Sequence, residues 1–278
     1  MGESVTSLDR WPIRLDGHVH TQFSWDAPRG DMEATCRRAL EIGLPGLAFT
    51  EHADYVQGVH HDLRPLDTAA YVAELARCRT LFGDLRILSG LELGEPHRFQ
   101  TEASKALFEV EPDRVLGSVH VVTFGGRELD GSQIQQVPVE EAPAFQRAHL
   151  EETLRLVESD APFQVLAHLD YPKRYWPHAE LPFREEDFEE ELRAVLRSLA
   201  RRDGVLEVNT TRGIEHLRGL CPGPTTLRWW HQEGGRAISF GADAHVPELI
   251  AAGFREAGQV AEAAGFRPSD DPAGYWLR

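Results

Sequence analysis

Thiols are scarce in this chain of 278 residues, which has three cysteines, Cys36, Cys78 and Cys221. None falls in a C-x-x-C pair and the number is odd. That excludes a disulfide framework and a thiolate-built zinc module, and it points to a reducing compartment such as the cytoplasm. Long apolar runs are missing too. No stretch approaches the roughly 20 residues that span a bilayer. Met1 to Arg10 has no basic stretch leading into an apolar one, so neither a membrane anchor nor a secretory signal is expected. Basic residues are in deficit, with 29 Lys and Arg against 45 Asp and Glu, for a formal net charge of −16. That balance disfavours long nucleic acid or an anionic membrane as partner. A small anionic substrate stays open, because bound divalent cations would reverse the local sign. A Gly-rich dinucleotide fingerprint, an internal repeat and a dividing linker are all lacking. No surface stripe marks an oligomer interface.

What is present is an ordinary globular composition, 41% hydrophobic and 27% charged, of a length that α/β barrels reach as single domains. Residues 1–278 are therefore expected to form one barrel domain. Seven short apolar runs read as buried strands, at 13–20, 44–50, 86–93, 114–121, 163–169, 205–209 and 236–241. Helical patterns separate them. Asp31 and Asp67 stand where N-caps belong, ahead of helices at 31–42 and 67–82, and Gly43 stands at a C-cap. Further helices are predicted at 101–110, 140–158, 185–202, 224–233, 247–252 and 254–264. Residues 123–137 read as a loop or short hairpin, and 171–182 as an irregular loop. Such alternation implies parallel strands joined by crossover helices. Seven strands without a dinucleotide fingerprint favour a distorted, TIM-like barrel over an open sheet.

In a β/α barrel the chemistry sits at the C-terminal ends of the strands. Six of the thirteen histidines fall there: His18, His20, His52, His120, His168 and His245. His18 and His20 are two apart, so on an extended strand they share a face. Asp243 and His245 repeat that spacing. Glu92 ends the third strand in an apolar setting, where a carboxylate must be neutralised, paired or bound to metal. Asp26 follows shortly after the first strand. Each alone has a bland reading, as a core histidine, a salt-bridged carboxylate or a turn former. Placed together, nine imidazoles and carboxylates are too many for one ion and suit two or three divalent ions. Mixed nitrogen and oxygen donors without thiolates favour zinc, manganese or iron at a working site over a structural zinc site.

The segments Asp16-Gly17-His18-Val19-His20-Thr21, Thr50-Glu51-His52, Gly90-Leu91-Glu92, Gly117-Ser118-Val119-His120, Ala167-His168-Leu169-Asp170 and Gly241-Ala242-Asp243-Ala244-His245 together resemble the PHP family of metal-dependent hydrolases, the polymerase and histidinol phosphatase superfamily. The resemblance implies a distorted (β/α)7 barrel with a trinuclear centre at the C-terminal strand ends. It implies His18, His20, Glu92 and Asp243 on one metal, Glu92 as a bridge with His120 and His168 on a second, and Asp26, His52 and His245 on a third. Glu92, Asp243 and His245 would also take part in catalysis. Within the family, Gly117 to His120, Ala167 to Tyr171 and Glu207-Val208-Asn209-Thr210 resemble the branch of monofunctional histidinol-phosphate phosphatases. The chain departs from the pattern at Glu51, where many members have aspartate, and at Thr211-Arg212-Gly213, which should face the substrate.

The expected reaction is hydrolysis of a small phosphomonoester, histidinol phosphate foremost, by displacement at phosphorus. Arg212, Lys173, Arg174 and Arg64 are candidate phosphate clamps, with Arg212 first because it follows the sixth strand. Asp170, Asp54 or Glu51 could protonate the leaving alkoxide or bind a substrate amine. Phe23, Trp25, Tyr55, Tyr171, Tyr175 and Trp176 lie in loops after strands and could stack on an imidazole. Alternatives are another small phosphorylated substrate or nucleotide, a phosphodiester, an amidohydrolase-like C–N hydrolysis, or a metal-binding module without activity.

Overall fold

All seven apolar runs fold as strands, although some are shorter than predicted. The computed structural model describes residues 12–176, 179–210 and 219–278. Its strands are β1 (Asp16–Val19), β2 (Gly46–Ala53), β3 (Arg86–Gly94), β4 (Arg114–Ser118), the pair β5 (Val121–Phe124) and β6 (Arg127–Asp130), then β7 (Val165–Leu166), β8 (Val205–Asn209), β9 (Ala237–Gly241) and β10 (Trp276–Leu277). The main sheet runs β1-β2-β3-β4-β7-β8-β9-β10. Neighbours from β1 to β9 are parallel, and β10 joins β9 antiparallel. Helices α1 (Met32–Ile42), α2 (Thr68–Leu81), α3 (Gln100–Val110), α4 (Ala142–Glu158), α5 (Glu189–Arg201), α6 (Pro224–Gln232) and α7 (Phe254–Ala263) lie between and after the strands. This is a distorted (β/α)7 barrel of TIM-like form. No helix among the described residues is long and apolar enough to cross a membrane.

Local chemistry sets the helix ends. Asp31 accepts the Ala34 N–H at 2.7 Å and Asp67 accepts that of Ala70 at 3.0 Å, each satisfying a donor the helix leaves unpaired. Gly43 closes α1 in the left-handed region, φ 73°. Helix α5 buries Leu192, Val195, Leu196 and Leu199 on one stripe and faces water with its charges.

The barrel closes where β1 meets the end of β9. His20 N–H donates to Ala244 O at 2.8 Å, Asp243 N–H donates to His18 O at 2.8 Å, and a parallel bridge pairs Val19 with Ala244. Asp16, fully buried, draws the returning chain in by accepting N–H groups of Ala242 at 2.9 Å and Ala251 at 2.7 Å. The seam is tight. A Cβ on Gly241 would lie 2.3 Å from His18 Cβ and 2.5 Å from Glu207 Oε1. Gly241→Ala should therefore cost roughly 1–3 kcal/mol or more through overpacking. Gly83→Ala, with nothing within 4 Å of the added carbon, should leave the melting temperature nearly unchanged. Thermal unfolding of the two variants checks this.

Some boundaries differ from expectation. The fifth strand shrinks to Val165–Leu166, because His168 leaves the extended region, φ 21°, to turn its ring inward. Residues 121–130 form the hairpin of β5 and β6, turned by Gly125 and Gly126 at φ 57° and 76°; two consecutive positive φ values favour glycine, asparagine or aspartate. The helix expected over 247–252 is a single turn, Pro247–Leu249. There the backbone is diverted to Asp16, and Thr210 Oγ1 donates to Ala252 O at 2.6 Å. Strand β10 was not anticipated, since two residues carry no periodicity.

Candidate metal centre

Register and alternation gather the strand-end side chains. Parallel pairing sets His52 on β2 directly beside Glu92 on β3, and the inward face of a strand recurs every second residue. Glu92 is fully buried and stands at the centre. Its Oε1 faces His168 Nε2 at 2.7 Å and His120 Nε2 at 3.2 Å. Its Oε2 faces His18 Nε2 at 3.1 Å, His20 Nε2 at 3.3 Å and His52 Nδ1 at 3.3 Å. The two oxygens thus serve two different sets of imidazoles. Burial alone would raise the Glu92 pKa, but the charges of His18, His120, His52 and His168 hold it well below the usual carboxylate range.

Asp243 supplies the opposite wall. Its Oδ1 lies 3.5 Å from His20 Nε2 and 3.8 Å from His18 Nε2. It occupies the left-handed region at φ 55°, which aspartate tolerates better than most side chains. His245 bonds Asp26 Oδ2 through Nε2 at 2.8 Å, and His52 Nε2 is 3.5 Å from Asp26 Oδ1. The rings of His20 and His52 stack with centroids 4.2 Å apart, and those of His20 and His245 lie at 4.4 Å. All nine predicted ligands are therefore brought together. Four groups have donor atoms near enough to hold an ion among the described residues: His20/His52/His245, His18/His20/Asp243, His18/Glu92/His168 and His52/Glu92/His120. His52 belongs to two of them, so the groups cut across the ligand sets that the family resemblance implies.

The donors fit divalent cations. Ligands about 2.0–2.2 Å from a zinc ion lie about 3–3.5 Å from one another, close to the 2.7–3.3 Å seen around Glu92. His18 Nε2 and His20 Nε2 stand 2.9 Å apart. Both ring partners are already fixed on the far side. His18 Nδ1–H donates to Glu207 Oε1 at 2.6 Å, and His20 Nδ1–H donates to Ser24 Oγ at 2.9 Å. In that tautomer two Nε2 lone pairs point at each other and at a carboxylate, an arrangement that a cation between them relieves. Outer carboxylates that orient ligand imidazoles in this way raise their basicity. Glu207 also accepts the His168 N–H at 2.8 Å. Glu51 accepts from Thr21 and Ser24 and so anchors the His20 partner.

A cavity of about 250 Å³ opens onto these groups. It is lined by Asp26, His52, Glu92, His120, His168, Asp243 and His245 and also by Trp25, His60, Asp130, Ser132, Tyr171, Arg174 and Tyr175. Of the basic candidates, Arg174 reaches it. The turn Tyr171–Tyr175 carries this side chain over the barrel mouth, where Nη1 meets Asp243 Oδ2 at 2.7 Å and Nη2 donates to Asn209 Oδ1 at 3.0 Å. Lys173 and Asp170 do not line the cavity. They form a buried ion pair at 3.1 Å, and the ammonium also donates to Leu220 O, because Lys173 leaves the turn on its other side. Arg64 is also diverted. It is exposed and donates to Gln22 O, Ser24 O and Trp25 O at 3.1–3.3 Å, bracing the loop that holds Asp26. Arg212 lies outside the described residues. Neither Glu51 nor Asp54 lines the cavity: Glu51 is consumed by its hydrogen bonds, and Asp54 takes Trp25 Nε1–H at 2.8 Å and flanks His52 and His120.

Fold and site together define a metal-dependent hydrolase of the barrel type, and the chain belongs to the PHP domain family, whose model matches residues 16–211. It is similar to the histidinol-phosphatase of Lactococcus lactis subsp. lactis (strain IL1403), 29% identical over 266 residues that cover 91% of this chain and 92% of the relative. The structure of histidinol phosphate phosphatase from that organism, complexed with zinc, L-histidinol and phosphate, superposes with a TM-score of 0.79 at 26% identity, covering 96% of this chain and 99% of that one. A Listeria monocytogenes structure shares the fold at a TM-score of 0.73 and 19% identity, covering 87% of this chain and 99% of that one.

Proposed function

We propose that this protein is a metal-dependent phosphomonoester hydrolase that cleaves L-histidinol phosphate to L-histidinol and phosphate. The observation that carries the reading is Glu92 set between five imidazoles at the floor of a small cavity, with the Arg174 guanidinium at its wall. The likeness to a histidinol phosphatase along nine-tenths of both chains supports the substrate.

His18, His20, Glu92 and Asp243 would hold one ion, Glu92, His120 and His168 a second, and Asp26, His52 and His245 a third. Zinc, manganese or iron bound there supplies Lewis acidity toward phosphoryl oxygens and lowers the pKa of water toward neutrality. The chain's own groups do the rest. Glu207 and Ser24 lock His18 and His20 in the tautomer that turns Nε2 inward. Arg174, its plane fixed by Asp243 and Asn209, presents N–H groups to the phosphoryl oxygens. As the oxygen of water joins phosphorus, the bond from phosphorus to the ester oxygen breaks. The leaving alkoxide takes up the proton that water gives up. A cavity of this size and a net charge of −16 favour a small substrate over a nucleic-acid strand. Three buried thiols suit a reducing compartment, the cytoplasm.

Phosphate release from L-histidinol phosphate, p-nitrophenyl phosphate and bis-p-nitrophenyl phosphate tests this, using protein loaded with zinc or manganese. Discrimination by at least about 100-fold in kcat/KM in favour of histidinol phosphate is expected for a site that pairs the polar groups of its substrate. Comparable rates on all three would reject the substrate. Activity that survives exhaustive chelation would reject the metal.

A further inference from the structure

Lysine is almost never buried in full unless it is paired. Lys173 is 5% exposed, and its partner Asp170 is fully buried. Neither lines the cavity, and no step proposed above uses them. Lys173 sits in the turn that carries Arg174 over the barrel mouth, and Asp170 immediately precedes that turn. Exchanging a buried ion pair for uncharged groups of similar volume is often neutral in stability. Stability alone therefore does not account for a pair in this place.

The geometry of the turn gives it a use. Tyr171–Tyr175 is a 3-10 turn, in which residues three apart eclipse and successive side chains leave about 120° apart. Asp170 and Lys173 are three apart and meet at 3.1 Å. Arg174 comes next, so seating Lys173 in the interior directs Arg174 away from it, toward the mouth. The Lys173 ammonium also donates to Leu220 O and lies 5.5 Å from the centroid of the Phe183 ring. Its backbone is fixed as well. Lys173 N–H donates to Asp170 O at 2.9 Å, and Trp176 N–H donates to Lys173 O at 3.1 Å.

These contacts close a frame around Arg174. Leu220 leads into Cys221, which exchanges two backbone bonds with Asn209, 2.8 and 2.9 Å long. Asn209 accepts from Arg174 Nη2 at 3.0 Å, and Asp243 Oδ2 takes Nη1 at 2.7 Å. The guanidinium is thus held in front by Asn209 and Asp243. The backbone that carries it is held from behind, through Lys173, to the chain that pairs with Asn209.

We propose that the Lys173–Asp170 pair is a positioning device: it fixes the rotation of the turn Tyr171–Tyr175 and so aims the Arg174 guanidinium at the phosphoryl group. This rests on the reading of Arg174 as phosphate clamp in the phosphatase proposed above.

Lys173→Met alone would strand a buried carboxylate, so the test uses the double variant Asp170→Asn/Lys173→Met, with and without Arg174→Ala, in metal-loaded protein. Hydrolysis of L-histidinol phosphate and its inhibition by inorganic phosphate are measured, with metal content and melting temperature alongside. Misplacing a binding group by about 1 Å costs up to about 100-fold. The double variant should lose about 10- to 100-fold in kcat/KM, and the inhibition constant of phosphate should rise by a similar factor, at unaltered metal content. On the Arg174→Ala background the same exchange should change kcat/KM by less than about twofold, because the group it aims is gone. Asp170→Glu keeps both charges and moves the anchor by one methylene. It should show a smaller loss with the same dependence on Arg174, and it stands in if the double variant does not fold. A loss as large without Arg174 as with it would mark the pair as merely structural and overturn the proposal. Wild-type kinetics in the double variant would overturn it too, leaving the clamp intact if Arg174→Ala is impaired. Unaltered kinetics in Arg174→Ala would overturn the clamp and the proposal together.

Discussion

Glu92→Gln should lower kcat/KM by about three orders of magnitude or more, because the several kcal/mol that metal ions contribute to the transition state depend on their being held. Glutamine keeps the shape of the side chain and removes its charge. One end becomes an NH2 group, which has no lone pair to offer a cation. Since Oε1 serves His120 and His168 while Oε2 serves His18, His20 and His52, both sets lose their common anion at once. Elemental analysis of the purified variant should find at least one ion per chain fewer than in wild type. Full metal content with full activity would remove Glu92 from the centre. The fold should survive, because the backbone pairing of β3 with β2 and β4 does not involve this side chain.

The second large effect is expected at Arg174. Arg174→Ala should lower kcat/KM by about 100- to 1,000-fold, the range found when one preorganised donor to a developing anion is lost. Arg174→Lys should recover little, since a lysine cannot hold Asp243, Asn209 and a phosphoryl oxygen in one plane. Metal content separates two ways of failing. If the ions stay bound, the loss lies in grip on the phosphoryl group. If they leave, the contact of Arg174 with Asp243 at 2.7 Å is what keeps Asp243 in place. Unaltered kinetics in Arg174→Ala would leave the clamp to other groups.

The barrel and its candidate metal ligands were legible because period and position carry them. His18/His20 and Asp243/His245 each sit two apart at a strand end, and Glu92 ends an apolar run, so a linear reading finds them. The candidate phosphate clamps were less legible. Arg64, Lys173 and Arg174 look alike in a loop, and only the direction in which the turn Tyr171–Tyr175 throws successive side chains separates Arg174 from Lys173. Glu207 drew attention only as part of a resemblance. Its role depends on β8 lying next to β9 and across from His18, a relation between residues 189 positions apart. A local signal did exist in Glu207 and Asn209, polar residues alternating on an otherwise apolar strand. Asp130 was hidden more deeply, since its segment reads as a hairpin turn and nothing local says that the hairpin folds over the barrel mouth.

The seam between β1 and β9 gives the centre a second meaning. His18 and His20 come from its first strand, Asp243 and His245 from just beyond its last, and the contact of Asp26 with His245 spans 219 residues. An ion gripped from both sides would tie the two ends of the barrel together much as a disulfide would. It closes a loop of nearly the whole chain and takes that freedom away from the unfolded state. A protein whose three cysteines form no disulfide would thus draw a crosslink from the same ions that would do its chemistry.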